Sequence, residues 1–253
     1  MDRVGDAPSM ALASAVAALG GESFAAALLA ALNARVAVDH VCLMRFADRA
    51  RPPVLESASW RGGEHVASVQ QAYLAGQYRH DPNLRVPAQA GVQVLLQRRA
   101  AIGQTSYRDA CYGRSGLLER LTVATGDSGQ LIALNLYRLE ASGPFSDDDR
   151  AAIEALAQLL AALALKHVAI LRMRLRSRDR GDRTEGAAAR LSAICGALTR
   201  REREVLARVL VGMTSEGIAL DLGIALTSVL TYRRRGYARV GVSSQAELFA
   251  LCL

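Results

Sequence analysis

"LTRREREVLARVLVGMTSEGIALDLGIALTSVLTYRRRGYARV" runs from Leu198 to Val240 and carries the start and stop signals of three successive helices. Thr199 followed three positions later by Glu202 is a capping box, in which each residue's side chain takes up the other's backbone N–H. Val205, Leu206, Val209 and Leu210 then share one helical face, and Gly212 suits the residue just past the helix end. Thr214 caps a second, short helix over "SEGIALDL". "LGI" at Leu222–Ile224 is a tight turn, and a third helix is expected from about Leu226 to Val240. A short helix, a glycine turn and a longer helix make a helix-turn-helix, whose last helix enters the major groove of DNA.

That third helix carries Arg233, Arg234 and Arg235 in a row. Successive helical residues are about 100° apart, so three consecutive arginines cannot all reach one groove floor. With Val229 and Tyr232 packed inward, and Tyr237 and Val240 continuing that side, the opposite face carries Leu230, Thr231 and Arg234. Thr227, one turn earlier, is a further candidate contact. Arg234 is expected at base edges, where an arginine pairs with guanine through two hydrogen bonds. Arg233 and Arg235 are expected at phosphates, which position the protein without specifying sequence.

The charge distribution agrees. Residues 1–171 hold sixteen basic and sixteen acidic side chains, residues 172–190 seven against three, and residues 191–253 eight against five. The whole excess of +7 therefore lies in the last third, as expected for a chain with a polyanion partner. Thirty of the 31 basic residues are arginine, a bias that reads first as coding composition. The four cysteines are scattered without a CxxC pair, which predicts neither a disulfide framework nor a zinc site and makes a reducing cytoplasm the default. No signal peptide is evident, and the apolar stretches are interrupted well short of the ~20 residues a spanning helix needs, so no membrane association is expected.

The first two thirds read as an α+β domain built on a single antiparallel sheet flanked by helices, GAF- or PAS-like, ending near residue 171. An alanine-rich helical region spans 9–34 with an interruption at Gly20–Gly21. Strands are expected at Val38–Ala47 and Pro53–Trp60, a helix from Glu64 to about Gln77, and a stop at Asp81. Residues 83–118 read as short helices and loops. "RLTVATG" and "QLIALNLYR" flank "DSG", a hairpin signal. Ser146 caps a long closing helix whose first turn holds Asp147, Asp148 and Asp149. Residues 172–190 read as an exposed basic linker. Residues 191–253 read as an all-α domain.

The stretch from Leu198 to Leu248 resembles the LuxR-type (GerE) helix-turn-helix of bacterial transcription factors. Leu198-Thr199, Arg201-Glu202, Glu204-Val205-Leu206, Gly212, Ile218-Ala219, Leu222-Gly223-Ile224, Val229, Tyr237 and Leu248 carry the match. The resemblance implies a four-helix module, its last helix at about Ser244–Leu251, that docks on double-stranded DNA as a homodimer, with RNA polymerase a candidate partner. It also implies that Leu230, Thr231 and Arg234 face the groove. This sequence departs at Gly217, usually Glu, at Ala225, usually a capping Ser, and at Leu230, usually Lys. Gly236 in mid-helix costs roughly 1 kcal/mol against Ala.

"YLAGQYRHDP" (Tyr73–Pro82) resembles part of the autoinducer-binding domain of quorum-sensing LuxR proteins. There an Asp takes the amide N–H of an acyl-homoserine lactone and aromatic side chains cover its ring. That resemblance implies a small-molecule effector held by Trp60, Tyr73, Tyr78 and Asp81. Tyr78 stands one residue nearer Asp81 than the usual spacing, and no Trp follows Asp81. A GAF- or PAS-like sensor of another ligand fits the same pattern, as does a domain that only dimerises or docks a protein partner.

Other classes are excluded. The only lysine is Lys166, so a phosphoacceptor receiver is not expected, and no Gly-Lys dipeptide exists for a nucleotide-binding loop. No catalytic pattern links the four histidines, and neither cofactor nor metal is expected. Cys111 beside Tyr112 is expected to be a small buried hydrophobe rather than a redox sensor.

Overall fold

The computed structural model describes residues 6–47, 50–60, 66–85, 91–113, 115–127 and 129–252. The predicted helix start at Glu64 and Ser128 of the "DSG" turn lie outside them. The chain divides into two compact units, Met1–Leu171 and Arg172–Leu253.

In the first unit five strands form one antiparallel sheet: β1 (His40–Phe46), β2 (Val54–Ser59), β3 (Gln93–Arg98), β4 (Leu117–Asp127) and β5 (Gln130–Leu139), in the order β2-β1-β5-β4-β3. β4 and β5 are the predicted hairpin, with Asp127 opposite Gln130 and Gly129 at φ +79° in the turn. β3 falls inside a stretch read as helices and loops. It is an edge strand, and the two ends of its "QVLLQR" are exposed.

Both faces of the sheet are covered. Val41, Leu43, Leu121, Val123, Ile132, Leu134 and Leu136 pack against α1 (Asp6–Ala17), α2 (Phe24–Asn33) and α5 (Asp147–Ile194). Cys42, Met44, Ala124, Leu131, Ala133 and Tyr137 point the other way, toward α3 (Val66–Ala75), α4 (Thr105–Arg108) and the π turn Asp109–Gly113 that follows it. This alternation is the strand period of two, with apolar residues on both faces because both are buried. His167 joins the layers on the first face. Its Nδ1 accepts from the Gly20 N–H at 3.0 Å, its Nε2 lies 2.6 Å from Glu56 Oε2, and its ring stacks on Phe24 at 4.0 Å.

α5 is longer than expected: residues 172–190, read as a linker, are helical. Arg178 and Asp182, and Asp179 and Arg183, stand four apart, a spacing that supports a solvated helix. Ala187 and Leu191 are buried in the core of the second unit. By length and composition alone α5 could cross a bilayer. Its Ile153, Ala157, Leu160, Ala161, Ala164 and Val168 are instead buried against the sheet and helices.

The second unit adds α6 (Arg200–Leu210), α7 (Ser215–Leu222), α8 (Leu226–Val240) and α9 (Gln245–Cys252). The capping box forms: the Glu202 N–H donates to Thr199 Oγ1 and the Thr199 N–H to Glu202 Oε2 at 2.9 Å. Gly212 and Gly223 take left-handed φ of +83° and +63° at the ends of α6 and α7. Thr214 caps α7 by accepting the Gly217 N–H at 3.1 Å. Ala225 opens α8 with no side-chain cap at all.

Candidate nucleic-acid interface and effector cavity

Val229 and Gly236 form the buried side of α8, while Thr227, Leu230, Arg234 and Arg235 are exposed. Leu230 is 50% exposed, a large apolar side chain left in solvent beside Arg234. Thr231 is half-buried, and its hydroxyl donates to Thr227 O at 2.8 Å. Among the described residues Arg234 meets no side-chain partner, so its guanidinium is available.

Arg233 is placed differently from its neighbours. Its Nε donates to the Tyr237 hydroxyl at 3.0 Å, its Nη2 to Gln245 Oε1 at 3.2 Å, and its guanidinium lies 5.3 Å from the Tyr237 ring centre. It braces α8 against the start of α9, a partner that its position in the arginine run gave no sign of. Arg239 is also used internally, pairing with the buried Glu202 at 3.0 Å.

Gly236 has its own reason for being there. A Cβ at this position would lie 2.9 Å from Leu206 Cδ1 and 3.0 Å from its Cγ, so α6 and α8 cross closely enough that any larger residue would force Leu206 to shift.

In the first unit, a cavity of about 50 Å³ lies between the second face of the sheet and the α3–α4 side. Its walls include His40, Cys42, Met44, Gln70, Tyr73, Tyr107, Cys111, Tyr112, Ser115 and Tyr137. Of the four residues expected around a ligand, Tyr73 alone lines it. Tyr78 is buried, with its hydroxyl donating to Ala50 O at 2.9 Å. Trp60, at the end of β2, is 60% exposed and does not reach the cavity. Asp81 is buried beside the cavity rather than in its wall.

Asp81 is already engaged. Arg120 Nη2 donates to its Oδ1 at 2.9 Å and Arg120 Nη1 to its Oδ2 at 3.0 Å, while the Tyr73 hydroxyl donates to Oδ2 at 2.6 Å. The two charged side chains are 2% and 0% exposed. Burial opposes the charge on Arg120, but Asp81 and the surrounding tyrosines hold its pKa well above the usual value. Removing one partner of such a pair costs about 3–5 kcal/mol. A ligand N–H to a carboxylate would return about 1.5–3 kcal/mol, too little to displace Arg120.

The titratable groups of the wall are held neutral. Burial drives His40 down to about 4 and pushes the Cys42 and Cys111 thiols up to about 12, so neither cysteine is a thiolate. Burial also pushes Tyr112 up to about 12. The neighbouring Tyr107 side chain offsets part of that rise, and among the described residues no hydrogen bond of normal geometry reaches the buried Tyr112 hydroxyl. No cluster of metal-ligating side chains occurs among the described residues.

Residues 196–252 match the sequence model described as bacterial regulatory proteins, luxR family (GerE). The helix-turn-helix is a GerE domain. A protein of Aeromonas salmonicida described as an HTH-type transcriptional regulator in the exeN 3′ region is 29% identical over 170 residues, 65% of this chain and 87% of that protein. Both matches are to regulators, not enzymes. The LBD domain of VqsR from Pseudomonas aeruginosa superposes with a TM-score of 0.50 at 19% identity, over 66% of this chain and 98% of that one. That likeness extends to the fold. The N-acylhomoserine lactone-dependent LuxR family factor CepR2 of Burkholderia cenocepacia follows at a TM-score of 0.47 and 20% identity, over 68% and 98% of the two chains. Ahead of the GerE domain, Arg120, Tyr107 and Tyr112 are the site residues that sequence reasoning did not select. Arg120 looked like an ordinary polar position in a strand.

Proposed function

We propose that the chain is a cytoplasmic transcription regulator that binds promoter DNA as a homodimer through its GerE domain. α8 lies in the major groove with Thr227, Leu230, Thr231 and Arg234 toward the bases and Arg235 toward a phosphate. Arg233 orients α8 from behind, through Tyr237 and Gln245. The first unit holds a small-molecule effector in its aromatic cavity, and effector binding sets the spacing of the two recognition helices against half-sites about one helical turn apart. RNA polymerase is the partner at the promoter. The observation that carries this reading is the exposed Arg234, without a side-chain partner among the described residues, on the third helix of a capped helix-turn-helix.

Fluorescence anisotropy with the DNA upstream of the protein's own coding region tests it. Binding should weaken steeply with salt. Arg234→Ala should lose about 1–3 kcal/mol on cognate DNA and little on random DNA. Arg233→Ala should lower the thermal stability of the GerE domain and keep the sequence preference. Equal losses of Arg234→Ala on both DNAs would sink the assignment.

The saturated Asp81 supports a second reading, in which the first unit only dimerises or docks a partner and the regulator is constitutive. The Asp81–Arg120 pair is closed without a ligand. DNA affinity unchanged by small-molecule extracts of the host would favour it.

A further inference from the structure

Most arginines of the helix-turn-helix are spent inside the protein. Arg200 and Arg201 pair with Glu204, Arg208 with Asp221 and Arg239 with Glu202, while Arg233 donates to Tyr237 and Gln245. Of the eight arginines in residues 191–253, that leaves Arg203, Arg234 and Arg235. Three cations are a thin supply for a duplex that carries one negative charge per about 1.7 Å of its axis.

Residues 172–183, at the start of the same compact unit, hold six arginines against two aspartates, a net +4. Every residue from 173 to 183 is exposed, Met173 and Leu175 included, so this stretch of α5 is not used for packing. At about 100° per residue, Arg176, Arg180 and Arg183 lie within about 60° of one another, on the helix face that also carries Ala187 and Leu191. Those two are buried in the core of the second unit. The arginine stripe therefore looks to the side of α5 on which that unit lies, and runs on past its core. Asp179, Asp182 and Glu185 fall outside the arc. Among the described residues the three guanidiniums meet no carboxylate and no side-chain hydrogen-bond partner.

We infer that Arg176, Arg180 and Arg183 form a second DNA contact, which takes the phosphates of duplex flanking the half-site and reads no sequence. This rests on α8 as the operator-reading helix and adds a contact to it. A guanidinium suits a phosphate because it can pair through two charge-assisted hydrogen bonds. Residues 172–190 include no aromatic side chain on which an unpaired base could stack, which favours duplex over single strands. Once α8 is seated, the stripe meets flanking DNA as a tethered group, so even weak phosphate contacts add to the affinity of the whole.

Anisotropy tests this by comparing the full-length protein with its Arg176→Gln/Arg180→Gln/Arg183→Gln variant on two duplexes from the DNA upstream of the coding region. One duplex is trimmed to the base pairs whose substitution changes wild-type binding, and the other carries random sequence beyond both ends. Wild type should bind the extended duplex more tightly, with a salt dependence steeper by about one unit of slope for each phosphate held. The glutamine variant should melt like the wild type, match it on the trimmed duplex and lose most of the advantage on the extended one. Arg176→Lys/Arg180→Lys/Arg183→Lys should regain most of that advantage, because charge and not base reading is at work.

Equal binding of the two duplexes by wild type, or an extended-duplex advantage that survives the glutamines, overturns the inference and leaves operator recognition by α8 standing. Failure of the wild type to bind either duplex is a different result, and ends the regulator reading itself.

Discussion

Gly236 and Leu206 meet so closely that a single added carbon on the glycine would stand 2.9 Å from the leucine Cδ1. Leu206 is fully buried, so it has little room to yield. A mid-helix Gly→Ala change ordinarily gains roughly 1 kcal/mol. Overpacking a core costs about 1–3 kcal/mol. Gly236→Ala is therefore expected to destabilise the GerE domain by up to about 2 kcal/mol, read as a lower Tm in calorimetry. A raised Tm would show that the crossing of α6 and α8 can open.

Arg120 and Asp81 make the second prediction. Arg120→Met leaves the buried Asp81 carboxylate without its cationic partner, and should cost about 3–5 kcal/mol. Adding Asp81→Asn removes the stranded charge and should restore much of that loss. Denaturant unfolding followed by the near-ultraviolet signal of the buried tyrosines measures both. A double variant no more stable than Arg120→Met would show that the charge was not the problem.

His40 makes the third. Its folded pKa, about 4, lies below the ordinary histidine value of 6.5, because burial disfavours the imidazolium. Between those values the unfolded chain binds the proton and the folded one does not, so stability rises with pH across that window and is flat above it. Lowering the pH from 7 to 5 should cost about 2 kcal/mol from this residue. His40→Gln should flatten the slope. An unchanged slope would assign the acid sensitivity elsewhere.

Much of this fold is legible in the sequence itself. The caps at Thr199 and Thr214, the stops at Gly212 and Gly223, and the β4–β5 hairpin are local signals, and each is where its sequence places it. What could not be read is non-local. The Arg120–Asp81 pair joins residues 39 apart. Arg120 looks like a solvent-facing strand position unless the sheet is known to be covered on both sides. Gly236 shows its cost in the sequence but not its neighbour. The helical course of residues 172–190 was hidden because that stretch is mostly polar, with only Met173 and Leu175 as large apolar residues, and includes Gly181 and Gly186, so no apolar periodicity marks it. Trp60 fits an aromatic ligand wall by residue type alone, and its solvent-facing place at the end of β2 follows from the register of the sheet.

The hydroxyl of Thr231 is spent inside its own helix, on Thr227 O. What that side chain can still offer a neighbour is its methyl group and an acceptor oxygen, with no proton to donate, and the adjoining Leu230 offers only more hydrocarbon. Ahead of Arg234, then, α8 presents a largely aliphatic strip, and such a strip can tell one base pair from another chiefly by nestling against the C5 methyl of thymine.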